Sequence, residues 1–368
     1  MPYTWTTGET ITAAKLNPTI VSLSTVQAAA DTWSSIANVS TARSGGVASS
    51  STTDLYYYGG ITTVAVTTNE KYTPSTNTWS TVASMGTARI YFGGGSLGGY
   101  GYAIAGFTGS SNLATCERYD YSANSWGTIA SIGTANRTLN ATDFQGYIYR
   151  AGGFTTTIVG TVERYDPATN TWSAVTGLGT ARANVCLESL GSYLYAYSGN
   201  TNPSGTTVSA VNEQYDSVAN TWTAKATLST ARQIAAGYSI GPYIYIAGGQ
   251  SNSAILNSVE RYDPVANSWT TMTTMTTAKA LAGASVLNEY AYVVSGAQTF
   301  GLTTPNASCL RYGPATFGSY TSDGNRLVTA YDTTATLYNG TNNVTGSTLF
   351  LKTGDVVTSS KVVDILVV

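Results

Sequence analysis

The chain has 368 residues, a net charge of -2 and only 10% charged residues, against ~25% in an average soluble protein. That length holds two ordinary domains or one repeat domain with appendages, and so weak a charge offers no basic stripe for a nucleic acid. Histidine is absent, which removes the usual metal ligand and the usual general base together.

The opening MPYTWTTGET has neither a basic region nor an apolar core, so no secretory signal is expected. No apolar run reaches 18 residues, so no membrane insertion is expected either. Thr12 can cap a short helix over Ala13 to Leu16, and Asn17-Pro18 reads as a second cap with Pro at the first helical position. Leu16, Ile20 and Leu23 then share a face. The string WTTGETITAAKLN (5–17) resembles the segment by which phage tail-fibre and other virion proteins dock onto the particle. A virion protein, released by lysis, would reconcile an extracellular-looking composition with the missing export signal.

From Trp33 onward the chain repeats. Trp33, Trp79, Trp126, Trp172, Trp222 and Trp269 are spaced by 46, 47, 46, 50 and 47 residues. Seven residues before the last five stand Tyr72, Tyr119, Tyr165, Tyr215 and Tyr262, mostly in a Glu-x-Tyr-Asp context. Ten residues after each Trp comes a basic position: Arg43, Arg89, Asn136 with Arg137 next to it, Arg182, Arg232 and Lys279. Thirteen further on is a tyrosine, followed within a few residues by a small doublet such as Gly59-Gly60 or Ser198-Gly199. Segments such as GYIYRAGG (146–153) are short, aromatic and bounded by glycine, which marks strands.

Basic residue, aromatic strand, doublet, Glu-x-Tyr-Asp and Trp, in that order, resemble the kelch repeat. The resemblance covers about residues 31–315 and implies an all-β, six-bladed propeller with four strands per blade. The repeat starts with a fourth strand at Trp33 and stops with a third strand at Tyr312. The N-terminal strand is therefore expected to close the last blade and remove the open edges of a partial ring. Residues 316–368 leave the repeat. Strand and turn alternate in LFLKTGDVVTSSKVVDILVV (349–368), so a small C-terminal β module is expected. The reading is an attachment segment at 1–25, a propeller at 26–315 and the module at 316–368.

Chemistry is sparse. Without histidine no nucleophilic triad of the Ser-His-Asp type exists, and the copper sites of kelch oxidases, which need histidine, are closed. Cys116, Cys186 and Cys309 are scattered and form no CxxC pair, so no metal, cofactor or disulfide framework is expected. Glu70, Glu117, Glu163, Glu213 and Glu260 recur with the period, as do four aspartates; repeated acids read as strand and turn partners, not as a catalytic pair. The protein is expected to be no enzyme.

Spacing singles out one face of the disc. The turns between first and second strands, and between third and fourth, are uniform. From the doublet to the Glu position the count is 10, 11, 10, 14, 11 and 14, so the second-to-third loops vary, with 200–212 and 297–309 the longest. Binding residues favour loops on a rigid scaffold. The same face carries Arg43, Arg89, Arg137, Arg182, Arg232 and Lys279 at the starts of the inner strands. Two roles fit them: an anion-accepting mouth at the central channel, or donors to neighbouring carbonyls and the repeat acids. The expected function is that of a tail-fibre component recognising a bacterial surface glycan, working as an oligomer, plausibly a trimer as the phage resemblance implies. A structural spacer and a glycan-cleaving enzyme are the alternatives.

Overall fold

A computed structural model describes residues 31–299 and 304–313 in full and, beyond them, the backbone of the strands between Gly318 and Val367. The helix expected near Ala13 to Leu16 and its apolar face lie outside the described residues. Asp31–Gly313 forms one compact unit, and the strands after it belong to a second.

Six four-stranded antiparallel sheets make up the first unit. Blade 1 is Val47–Ser50, Leu55–Tyr58, Asn69–Thr73 and Thr78–Val82. Blade 2 is Ser96–Leu97, Tyr100–Phe107, Asn112–Asp120 and Ser125–Ile129. Blade 3 is Asn140–Phe144, Tyr147–Ala151, Val162–Asp166 and Thr171–Val175. Blade 4 is Cys186–Leu190, Tyr193–Tyr197, Asn212–Asp216 and Thr221–Lys225. Blade 5 is Ala236–Ile240, Tyr243–Ala247, Val259–Asp263 and Ser268–Met272. Blade 6 is Gly283–Leu287, Tyr290–Val294 and Cys309–Gly313, completed by Thr32–Ile36 from the start of the repeat. Trp33 sits directly opposite Tyr312, as the repeat arithmetic requires. The protein is an all-β, six-bladed propeller closed by its own N-terminal strand.

Burial explains the composition of each strand. Second strands lie in the middle of a sheet with a blade on either side, and Leu55–Tyr58 is buried at every position. Such a strand reads as a continuous apolar and aromatic run and not as an alternation. Fourth strands form the rim, and Thr78–Val82 is exposed or half-buried throughout. The small doublet ends each second strand in a left-handed turn. Its first place accepts a side chain, since Ala105, Ser198 and Ser295 sit there at φ 57°, 62° and 59°. Its second place is always glycine, at φ 96° in Gly60 and 109° in Gly106, which residues with a Cβ avoid.

The seven-residue spacing between Tyr and Trp places the two rings opposite each other across the third-to-fourth turn, with centroids 5.2 Å apart for Tyr72–Trp79 and 5.1 Å for Tyr262–Trp269. The turn carries an asparagine two residues before Trp, in left-handed conformation, such as Asn124 at φ 51°. Asn124 Oδ1 accepts from the Tyr119 hydroxyl (2.6 Å) and from the backbone N–H of Ala83 in blade 1 (2.9 Å). Trp126 Nε1 donates to the carbonyl of that same Ala83 (2.8 Å). One residue is thus gripped at both its backbone N–H and its carbonyl by the next blade. The grip recurs on Ala37, Ala130, Thr176 and Ala226. The repeat aspartates cap the same turns: Asp216 Oδ1 accepts the N–H groups of Val218 (2.8 Å) and Ala219 (3.0 Å).

The second unit holds a sheet ordered Gly318–Ser322, Asn325–Thr329, Ile365–Val367, Leu349–Leu351 and a second ordered Asn343–Gly346, Ala335–Tyr338, Val356–Val357. It is the small C-terminal β module expected.

Two outcomes test this architecture. Asn124→Ala strands the Ala83 N–H and the Tyr119 hydroxyl and should cost about 1–3 kcal/mol in denaturant unfolding, while Asn124→Asp, which keeps an acceptor oxygen, costs less. Removing residues 1–36 bares the edge of Cys309–Gly313 and should lower the thermal midpoint; a midpoint equal to that of the full chain refutes closure by this strand.

Candidate functional site

The basic repeat residues are placed first. Each second-to-third loop starts beside the segment that leads into the first strand, as the bridges Ala183↔Asn200 and Gln233↔Gln250 record, so the variable loops and the basic positions do share a face. The cations themselves do not open onto it. Arg43, Arg89, Arg182 and Arg232 are 0% exposed and Lys279 is 1% exposed. Arg43 pairs with Glu70, and Arg89, Arg182 and Arg232 pair at 2.5 Å with Glu117, Glu213 and Glu260. Further donors go to carbonyls of the same blade, as in Arg232 Nη1 to Gly248 (3.0 Å) and Ser258 (3.0 Å). The glutamates also collect the incoming chain: Glu117 accepts from the N–H groups of Gly86 (2.7 Å) and Thr87 (3.1 Å). The expectation of a six-membered cationic mouth is corrected. Five members are sealed inside their blades: the four arginines pair with repeat glutamates, because a buried guanidinium demands a counter-charge, and Lys279 bonds to carbonyls.

Two blades depart from this pattern in informative ways. In blade 6 Leu310 replaces the glutamate, and Lys279 replaces arginine; its ammonium bonds the carbonyls of Ser295 (3.0 Å) and Ser308 (2.7 Å), and burial pushes it down to about 8. In blade 3 the repeat position is Asn136, 1% exposed, with Nδ2 donating to the Gly152 carbonyl (3.1 Å). Glu163 takes its cation from the second strand instead, at 2.5 Å from Arg150. Arg137, one residue past the sealed position, is left half-buried on the loop face.

That face holds a cavity of about 510 Å³. Its wall includes Tyr91, Arg137, Asn184, Asn200, Gln233 and Gln250, with Pro203 to Thr206 of the long blade 4 loop on one side. The amides are tied together: Asn184 Nδ2 donates to Asn200 Oδ1 (2.8 Å), and Gln233 Nε2 donates to the Gly205 carbonyl (2.9 Å). The loop is built and not slack, since Asn202 Nδ2 donates to Ser204 (3.0 Å) and Thr206 (2.7 Å) and its Oδ1 accepts from the Thr207 N–H (3.0 Å). The blade 6 loop at 297–309 is described only in part.

Below the cavity the channel narrows at a ring of backbone. Gly45, Tyr91, Thr138, Asn184, Ile234 and Leu281 all lie two places after the basic repeat position, with φ between 48° (Ile234) and 67° (Gly45). They are joined around the axis by N–H to carbonyl bonds, from Gly45 to Leu281 (2.8 Å), Tyr91 to Gly45 (3.2 Å), Thr138 to Tyr91 (2.7 Å), Asn184 to Thr138 (2.7 Å) and Leu281 to Ile234 (2.9 Å). Past this neck the inner strands enclose a second cavity of about 300 Å³, whose wall includes Asp143 and Glu188. These are the acids the sequence reading passed over. Burial, reinforced by the charge of Asp143, pushes the Glu188 carboxyl up to about 8, and burial raises Asp143 as well.

Among the described residues no group of three or more Cys, Asp or Glu gathers as a metal site, and Cys116, Cys186 and Cys309 are free and buried.

The closed ring of blades defines the fold as a six-bladed β-propeller. Within it, residues 42–86, 88–131, 144–179 and 239–276 match the kelch motif. No curated protein matches the sequence. Among solved structures, one titled "Structure of YjhT" superposes with a TM-score of 0.65 at 13% identity, covering 75% of this chain and 96% of that one. At that identity the likeness carries the fold alone.

The channel acids yield a test. A carboxyl whose folded pKa is raised lends stability fully present below its unfolded pKa and lost as pH rises through the folded one. The unfolding midpoint should fall between about pH 5 and pH 9 as Glu188 ionises, and Glu188→Gln should be more stable than the parent at pH 8 and flatten the profile. A parent and variant with parallel profiles refute the assignment.

Proposed function

We propose that the propeller is the non-enzymatic binding head of a phage virion protein, a tail-fibre component that recognises a bacterial surface glycan. The observation that carries this reading is the loop-face cavity. Its wall is a fixed array of amides, a tyrosine and small hydroxyl residues. Such groups bond sugar hydroxyls in both directions, and an aromatic ring offers a stacking face. The second support is the resemblance of residues 5–17 to virion docking segments, which gives the chain an anchor for other tail proteins and a place in a virion, outside the host after lysis. Oligomerisation through segments outside the ring, as a trimer, completes the proposal. Neither nucleic acid nor membrane insertion has a part in it.

One observation favours a second reading. Asp143 and Glu188 form a carboxyl pair in the channel, and paired carboxyls are what glycoside hydrolysis uses. Release of reducing sugar by the parent, lost in Glu188→Gln, would favour cleavage over binding.

The experiment is attachment of the purified protein to host cells and to extracted surface polysaccharide. Shortening the blade 4 loop by removing Pro203–Thr206 should reduce attachment about tenfold, a loss of about 1.4 kcal/mol, while thermal stability changes little because loop-closure entropy varies slowly with length. Undiminished attachment by that variant, together with loss on mutating the Gln145-Gly146 turn of the opposite face, overturns the placement. A parent that attaches to no surface component leaves the spacer role.

A further inference from the structure

Arg137 stands apart from the other arginines of the propeller. Its guanidinium lies between two phenyl rings, 4.4 Å from the centroid of Phe107 in blade 2 and 4.9 Å from that of Phe154 in its own blade. Arg118, Arg164, Arg261 and Arg311 each stack on one tyrosine that begins a second strand, and this repeated register marks them as part of the repeat. Arg137 has no carboxylate partner among the described residues, unlike Arg43, Arg89, Arg150, Arg182 and Arg232. It lines the loop-face cavity, and that wall contains no Asp or Glu.

The mounting is rigid. Arg137 and Phe154 exchange backbone bonds, N–H of Phe154 to the Arg137 carbonyl at 2.7 Å and the reverse at 3.1 Å. Asn112 Nδ2 secures the carbonyls of Phe154 (3.3 Å) and Thr155 (2.9 Å). Phe107 exchanges bonds with Ile90 at 2.9 Å. A guanidinium stacked on aromatic rings keeps its rim of N–H donors for a ligand in its own plane. A planar carboxylate accepts two parallel N–H bonds from that rim. The charge of Arg137 also extends to the Tyr91 hydroxyl on the cavity wall, where it opposes the rise that burial causes.

We propose that the loop-face cavity selects a sugar bearing a carboxylate, of the uronic acid class, with the Arg137 guanidinium as the bidentate anchor and the Asn184–Asn200–Gln233 amides bonding the ring hydroxyls. The proposal rests on the glycan-binding reading of this face and adds the charge and shape of the group it takes. It gives a carboxylate partner to the one arginine that stacks on two phenyl rings at the cavity wall.

Isothermal titration of the full chain separates the possibilities, with oligogalacturonate, the matched neutral oligogalactose and galactose 6-phosphate as probes. The parent should bind oligogalacturonate about tenfold or more tighter than oligogalactose. Arg137→Gln should lose that preference and keep the neutral affinity. Arg137→Lys, which keeps the charge without the planar fork, should recover only part of it. Thermal midpoints close to the parent's show that either variant folds. Equal parent affinity for acidic and neutral probes overturns this proposal and leaves the glycan reading standing. Preference for the phosphate ester over the carboxylate overturns it in favour of a phosphorylated sugar. Binding of none of the probes, with cell attachment intact, overturns it as well, and loss of both removes the glycan reading beneath it.

Discussion

The disc depends on one residue at each blade junction. Just after the fourth strand, at five of the six junctions, a single residue gives its N–H to an asparagine and its carbonyl to a tryptophan of the next blade, as at Ala83 with Asn124 and Trp126. Neighbouring blades share no ladder of hydrogen bonds, so packing alone would let the outer strands slide. A two-ended grip fixes separation and tilt together. Each net bond contributes about 0.5–1.5 kcal/mol, and the same asparagine also holds the tyrosine that stacks on the tryptophan. Position Asp31 serves the closing blade, where its carboxylate takes the Tyr312 hydroxyl and Trp33 Nε1 reaches the Thr273 carbonyl at 3.0 Å. The tryptophan half of the grip thus joins the chain end to the ring.

Much of this was legible beforehand, because a repeat turns one uncertain pattern into six concordant ones. Trp spacing set the blade number, and the orphan third strand at Tyr312 set the closure. The asparagine of the grip was equally visible two places before each Trp from Trp79 onward, yet it went unread, since its role needs the neighbouring blade. The candidate site was legible only in outline. Loop lengths pointed to the face that holds the 510 Å³ cavity, but spacing says nothing about whether an arginine reaches solvent. That depends on a glutamate two strands away and on the carbonyls at the end of the second strand. Arg137 was one residue out of register, and that slip was the signal: the sealed place went to Asn136 while Arg150 supplied Glu163. Asp143 and Glu188 are the opposite case. They fall outside the repeated acids, and nothing local indicates that adjacent blades bring them into one channel.

The neck of the channel stores strain where function is proposed. Left-handed backbone costs residues with a Cβ roughly 1–2 kcal/mol, and a β-branched side chain such as Ile234 or Thr138 is rarely found there. The conformation persists because each of these residues belongs to the belt of backbone bonds around the axis. The belt holds the floor of the loop-face cavity still, so Tyr91 and Asn184 are presented in fixed positions and a ligand spends little ordering them.

The closing strand has a mechanical meaning. Thr32 and Gly313 are register partners in an antiparallel pair, so the chain enters and leaves the disc at one spot on its rim. Tension applied between the two flanking segments loads the pair Thr32–Ile36 and Cys309–Gly313 from its end. The bonds there are met one after another, as in a zipper, and not all at once, as in shear. The other five blades lie outside the line of force. The closing pair can therefore yield while the loop face keeps its shape.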